Sequence, residues 1–201
     1  VTYDVVPGFT GAVTVPKTSP GGNPTVISGL SANTTYYMKV RARGVNGALT
    51  AETGAISTAT LAINLPGVNA DVFETSATVR WTTVNGGGAQ DSEGYKLSYS
   101  PSEILIPSVD WLTADKNVSS TDLTPLLRNT TYFYAVNTLN WYGASDLTTK
   151  RTFTTLAARP QNLALAAVSS TTARLNWTAL PASPPDVSAQ GYRLEGSSTN
   201  F

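Results

Sequence analysis

The chain has 201 residues, and the 41% that are hydrophobic are enough to build packed cores. Its 13 basic and 13 acidic residues leave no net charge, so no field attracts nucleic acid or an anionic membrane. It contains neither cysteine nor histidine, which excludes disulfides, thiolate metal sites and every nucleophile–base pair built on those residues. No apolar stretch approaches a membrane span. We therefore expect no catalytic residue, no cofactor, no metal site, no nucleic acid and no membrane insertion.

The first tract, residues 1–61, contains short segments in which apolar and polar residues alternate. Residues 1–5 and 38–42 follow this period of two, which predicts β-strands. Leu30 stands shortly before the sequence Asn33-Thr34-Thr35-Tyr36. Asn46-Gly47 then marks a turn after the second segment. The tract thus predicts strands joined by turns, with no helical stripe.

The second tract, residues 62–157, shows the same alternation at residues 78–81, 95–99 and 132–136. β-Branched and aromatic residues fill these segments, and Gly, Pro, Asn, Asp and Ser separate them. Short strands spaced by roughly ten residues, about seven per unit, are typical of a sandwich of two antiparallel sheets.

The third tract, residues 158–201, repeats the beginning of the second. Trp81 recurs 96 positions later as Trp177, and the Asn-Thr-Thr-Tyr motif that begins at Asn33 recurs 96 positions later at Asn129. The repeat unit is therefore about 96 residues long. We expect 1–61 to be the back half of a unit, 62–157 a complete unit, and 158–201 the front half of a further unit, so that both chain ends cut through domains.

These residues resemble the fibronectin type III family. The family pattern has a buried Trp on the second strand, a Tyr on the third, and a Leu six residues before the Tyr of a "tyrosine corner". The resemblance implies tandem immunoglobulin-like antiparallel β-sandwiches, an all-β fold, in an extracellular or cell-surface protein. It also implies that Tyr3 corresponds to Tyr95. The implied core residues are Trp81, Trp177, Tyr36, Tyr132, Leu30, Leu126, Tyr95 and Tyr192.

Trp141 and Tyr142 are the candidate ligand-binding residues, in the loop before the last strand of the complete unit. An exposed aromatic pair can stack on a sugar ring or anchor a protein partner. In the family this loop faces the preceding domain, so the pair can instead pack against that neighbour. We favour packing. Trp111 raises the same question with less context.

Other polar features have ordinary explanations. We interpret Asp91 and Glu93 as solvated loop charges, neither a catalytic pair nor part of a calcium loop. Residues 86–88, three glycines, lack the Lys-Ser/Thr of a phosphate-binding loop and indicate a flexible connection. Four asparagines head Asn-x-Ser/Thr sequons, of which Asn33 and Asn129 are explained as turn residues. The sequons are at Asn33, Asn117, Asn129 and Asn176.

The favoured function is a structural spacer, stalk or adhesion module whose repeats contact one another. Linkers at residues 60–66 and 156–160 contain Pro and few Gly, which predicts stiff connections. One alternative is an accessory module of a secreted polysaccharide-degrading enzyme. A second is a filament subunit whose half-units complete each other head to tail between chains. The partners would be protein or carbohydrate at the cell surface.

Overall fold

The computed structural model describes residues 1–16, 24–88, 90–145 and 149–198, and nearly all regular structure in them is β-strand. All strand pairs among these residues are antiparallel. A 3-10 turn follows the last strand at Pro185–Val187. In chain order, strands β1 to β13 are Thr2–Asp4, Val13–Thr14, Thr35–Lys39, Ile56–Ala59, Asn69–Val72, Ala77–Arg80, Tyr95–Ser100, Val109–Thr113, Ser120–Leu123, Thr131–Thr138, Arg151–Thr154, Gln161–Val168 and Ala173–Thr178.

Strands β5 to β11 form two sheets around a common core, which we call the central sandwich. One sheet has the order β5-β6-β9 and the other the order β11-β10-β7-β8. The buried cluster between them includes Val79 and Leu123 from the first sheet and Leu97 and Tyr134 from the second. This arrangement is the all-β antiparallel architecture that the sequence predicts, with seven strands described in the central sandwich.

The alternation of side chains explains why these segments become strands. On β10, Tyr132, Tyr134 and Val136 all belong to the core cluster, and each is two residues from the next. Successive side chains of a strand point to opposite faces, so this spacing places the three on one face. A shift of one residue in pairing would turn all three away from the core. The register is therefore specified by the burial of this face.

Strands β1 to β4 form a second sheet, the N-terminal sheet, in the order β2-β1-β3-β4. Its pairing corrects one prediction. Tyr3 pairs with Met38, as Tyr99 pairs with Tyr134, and 96 positions separate Met38 from Tyr134. The ring of Tyr3 lies 5.9 Å from that of Tyr36, and the ring of Tyr99 lies 6.2 Å from that of Tyr132. Tyr3 is thus the counterpart of Tyr99 and not of Tyr95.

Strands β12 and β13 pair with each other as the C-terminal hairpin, and no other described strand joins them. Leu165 and Leu175 are cross-strand partners on one face. Val79 is fully buried, whereas Leu175, its counterpart 96 positions later, is only half-buried. Leu165 and Val168, on the partner strand, are 60% and 67% exposed. The difference arises because none of the described strands covers this face of the hairpin.

Because no described strand covers that face of the C-terminal hairpin, part of the predicted core is not buried. Trp177 is half-buried and Tyr192 is 44% exposed, although their rings pack 5.3 Å apart. Trp81 and Tyr95 make the matching contact at 5.5 Å and are buried, because both sheets of the central sandwich enclose them. Leu30, also expected in the core, is only half-buried.

Candidate functional site

The two Asn-Thr-Thr-Tyr motifs form tyrosine corners with the same hydrogen bonds. The backbone N–H of Ser31 donates to the hydroxyl of Tyr36 at 2.9 Å, and that of Leu127 donates to Tyr132 at 3.0 Å. Both tyrosines and Leu126 are buried. A hydroxyl that accepts a backbone N–H satisfies a polar group while its ring stays in the core. In each corner the hydrogen bond therefore fixes the position of the loop that precedes the tyrosine.

The asparagine of each motif lies in that loop with a left-handed backbone. Asn33 has φ of 44° and Asn129 has φ of 46°, a region that asparagine enters more readily than most residues. The backbone N–H of Asn33 donates to the carbonyl of Leu61 at 2.9 Å, and that of Asn129 to Leu156 at 3.1 Å. These conformations and bonds aim both side chains away from their own sheet, toward the segment that follows.

The side chain of Asn33 crosses the boundary between the N-terminal sheet and the central sandwich. Its Nδ2 donates to the carbonyl of Asp91 and to the carboxylate of Glu93, the latter at 3.0 Å. Its Oδ1 accepts the backbone N–H of Trp141 at 3.0 Å. Asn33 is only 1% exposed. Every polar group of this side chain is thus occupied by the neighbouring sandwich.

Asn129, which is half-buried, also bonds across the next boundary, but to acceptors at other positions of the repeat. Its Nδ2 donates to the carbonyl of Pro185 at 3.0 Å and to the hydroxyl of Ser188 at 3.2 Å. Ser188 is buried, as is Ser92, which lies 96 positions before it. At both boundaries the asparagine of the motif therefore donates its side-chain amide to the segment that follows, and we call this arrangement the corner-asparagine junction.

A second buried asparagine, Asn140, attaches the connecting segment to the central sandwich. Its Nδ2 donates to the carbonyls of Ala59 and Thr60 at 3.1 and 3.2 Å. The hydroxyl of Thr138 also donates to the carbonyl of Ile63 at 2.9 Å. The sequence offered no signal for Asn140, because Gly44 stands 96 positions earlier and cannot make these bonds.

Trp141 and Tyr142 lie beside this junction, but the two residues are 62% and 59% exposed. The Tyr142 hydroxyl is 3.3 Å from that of Ser57 in the N-terminal sheet. The Trp141 ring lies below the ammonium of Lys116, whose Nζ is 5.6 Å from the ring centroid. Contact with the preceding sheet thus involves the Tyr142 hydroxyl and the Trp141 backbone. Trp111 differs, since it is half-buried with its ring 6.0 Å from that of Trp81.

The acidic residues of the neighbouring loop have structural partners. The carboxylate of Asp91 accepts the backbone N–H groups of Gly87 and Gly88 at 2.7 and 2.8 Å, which closes the glycine-rich loop. Glu93 pairs with Lys116 at 2.7 Å. Within the described ranges, no three acidic, histidine or cysteine side chains gather as a metal site would require. Nor does any helix there have the length and hydropathy needed to cross a bilayer.

No family model matches the chain. Similar solved structures include the FN1-FN3 domains of chicken CNTN1, at 19% identity and a TM-score of 0.41, covering 64% of this chain and 45% of that one. A two-domain fibronectin type III segment of chicken tenascin has 22% identity and a TM-score of 0.41, covering 63% and 68%. The fn3 domain of human contactin 1 has 21% identity and a TM-score of 0.42, covering 50% and 84%.

The chain spans less than half the length of the CNTN1 segment. With TM-scores near 0.4, these similarities carry no argument about function. The chain is similar to tandem fibronectin type III segments. The fold itself is established by the strand order and the two tyrosine corners described above.

Proposed function

We propose that the chain is a non-catalytic spacer whose successive sandwiches are held in a defined orientation. The observation that carries the proposal is the corner-asparagine junction, in which the buried side chain of Asn33 bonds across one boundary and the half-buried side chain of Asn129, 96 positions later, bonds across the next. A buried amide that leaves its partners forfeits hydrogen bonds each worth about 1 kcal/mol and exposes groups that were desolvated. Bending at the boundary is therefore opposed.

The connecting segment supports the same proposal. Its carbonyls at Ala59, Thr60 and Ile63 accept bonds from Asn140 and Thr138 of the central sandwich. A linker whose backbone is bonded to a sheet cannot behave as a flexible coil. The resemblance implies an extracellular or cell-surface location, and this location remains part of the proposal.

The test is the distribution of distances between spin labels placed on either side of the junctions. Because the chain has no cysteine, Val45→Cys and Leu163→Cys would each carry one label, and both positions are exposed. We expect a single narrow distribution that broadens when Asn33→Gly and Asn129→Gly are introduced. Glycine keeps the left-handed backbone and removes only the side-chain bonds. Asn117→Gly, at an exposed position, is the control.

A broad distribution in the unsubstituted chain would contradict a fixed orientation. An equally narrow distribution in the doubly substituted chain would show that the corner asparagines do not maintain it.

Self-assembly is a second candidate, favoured by the exposed apolar face of the C-terminal hairpin. In the central sandwich, the sheet of order β11-β10-β7-β8 covers the counterpart of this face, and the N-terminal sheet has the corresponding order β4-β3-β1-β2. A second copy of the chain therefore offers a matching sheet, on which Ile56 is exposed. Sedimentation of the 201-residue chain should show a mass that rises with concentration, and Leu165→Lys should abolish the rise. A monomer at every concentration would eliminate this candidate.

A further inference from the structure

The loop that carries Trp141 and Tyr142 is held rigidly at its backbone. The Oδ1 of Asn140 accepts the N–H groups of Tyr142 and Ala144 at 3.0 and 2.8 Å, and Asn33 accepts that of Trp141. Trp141 and Tyr142 nevertheless remain more than half exposed. A rigid backbone that presents exposed aromatic rings lowers the entropy lost when a ligand binds.

The aromatic side chains are not needed to form this turn, because the chain builds the same turn without them. In the N-terminal sheet, Gly47 N–H donates to the carbonyl of Gly44 at 2.9 Å. In the central sandwich, Gly143 N–H donates to the carbonyl of Asn140 at 2.8 Å. Val45 and Asn46 occupy the positions that Trp141 and Tyr142 take 96 residues later. The tryptophan and tyrosine rings therefore need another explanation than loop geometry.

The surroundings of the rings are polar and electrically balanced. Lys116 and Glu93 form an ion pair at 2.7 Å, and the Lys116 ammonium lies over the Trp141 ring. The hydroxyls of Tyr142 and Ser57 lie 3.3 Å apart beside them. Protein-binding hot spots are instead surrounded by contacts that exclude water. Here hydrogen-bonding groups of both kinds flank an apolar ring.

We propose that Trp141 and Tyr142 bind a neutral polysaccharide built of hexopyranose or pentopyranose rings. A pyranose presents an apolar C–H face that packs on an aromatic ring, and hydroxyls at its edge that require donors and acceptors. The Lys116–Glu93 pair supplies both, with no excess charge to select an anionic sugar. This binding site is independent of the spacer function, and it would suit an accessory module of a polysaccharide-degrading enzyme.

The experiment titrates cellohexaose, xylohexaose and mannohexaose into the 201-residue chain and follows the Trp141 indole N–H signal by NMR. We expect at least one hexasaccharide to shift that signal in a saturable way. The matched variant carries Trp141→Val and Tyr142→Asn, which are the residues that the chain itself uses in the same turn at 45 and 46. Its affinity, measured by calorimetry, should fall at least tenfold while its thermal midpoint stays unchanged.

Two results would overturn the proposal. One is the lack of a saturable shift with any of the three hexasaccharides, which would leave a protein partner as the remaining explanation of the exposed rings. The other is binding of equal affinity in the doubly substituted chain, which would place the sugar elsewhere. A loss of affinity accompanied by a changed thermal midpoint would be resolved by Trp141→Phe, which keeps an aromatic face and should retain most of the binding.

Discussion

The side-chain amide of Asn33 donates a hydrogen bond to the carboxylate of Glu93, 3.0 Å away, across the boundary between the N-terminal sheet and the central sandwich. The carboxylate also holds Lys116 at 2.7 Å. Glu93 therefore links a residue of the preceding sheet to a second loop of its own sandwich. Because Asn33 is almost fully buried, the bond is shielded from water. Removing the bond should therefore lower the free energy of unfolding by a measurable amount.

We predict that Asn33→Asp destabilises the chain by about 1–3 kcal/mol, because aspartate keeps the shape but loses both N–H donors and places a second carboxylate near Glu93. The measurement is urea unfolding followed by tryptophan fluorescence. Asn117→Asp is the control, since the Oδ1 of Asn117 accepts a bond from Asn85 and aspartate retains that acceptor. Equal effects of the two substitutions would contradict the role assigned to Asn33.

Tyr132→Phe should cost about 1–3 kcal/mol, because it leaves the N–H of Leu127 without the hydroxyl that accepts it at 3.0 Å. Tyr142→Phe removes a hydroxyl from an exposed ring and should change the free energy of unfolding by less than about 0.5 kcal/mol. The free energies of unfolding of both variants are measured by the same urea unfolding experiment. If Tyr132→Phe proves as mild as Tyr142→Phe, the corner hydrogen bond does not stabilise the sandwich.

Gly94→Ala should destabilise the central sandwich by about 3 kcal/mol or more. A Cβ at this position would lie 2.1 Å from the carbonyl oxygen of Thr113, and the residue has φ of +147°. The backbone at Thr113, the end of β8, would have to move, and such overpacking is costly. Gly86→Ala meets no atom within 4 Å and serves as the control, with an effect near zero expected. Thermal midpoints of both variants distinguish them.

Alkaline pH should destabilise the chain, because burial raises the pKa of Tyr134 above its usual value of 10.0 and does the same for Tyr95 and Tyr99. The folded state then holds these protons more tightly than the unfolded state. Their contribution to stability is complete below about pH 10 and is lost as the pH rises toward the folded pKa values. Thermal midpoints between about pH 8 and about pH 11 should fall less steeply in Tyr134→Phe than in the unsubstituted chain. Identical slopes would rule out Tyr134 as a contributor.

The sequence predicts what depends on neighbours along the chain. Alternation at residues 132–136 predicts strand β10, and the spacing from Leu126 to Tyr132 predicts the tyrosine corner. The left-handed φ of Asn33 agrees with its interpretation as a turn residue. Its bonds to Asp91 and Glu93 could not be predicted, because those partners lie 58 and 60 positions away and only the packing of two folded elements brings them together.

Two errors have the same physical origin. The resemblance implies that Tyr3 corresponds to Tyr95, whereas strand pairing with Met38 makes Tyr3 the counterpart of Tyr99. The resemblance also implies that Trp177 and Tyr192 are core residues, but burial requires an opposing sheet in addition to the pattern. Pattern identifies which face of a strand is apolar. It does not identify what covers that face.

The turn at residues 44–47 recurs at residues 140–143 with the same backbone hydrogen bond and different exposed side chains. Both copies share the backbone hydrogen bond that closes the turn and a terminal glycine, at φ of 81° in Gly47 and 69° in Gly143. In each copy an asparagine Oδ1 also accepts a backbone N–H, that of Ala48 by Asn46 and that of Ala144 by Asn140. The aromatic rings take no part in these bonds, so the turn does not require them. One copy displays Val45 and Asn46, the other Trp141 and Tyr142. An array built in this way can change its surface chemistry from one repeat to the next while the spacing between repeats stays constant.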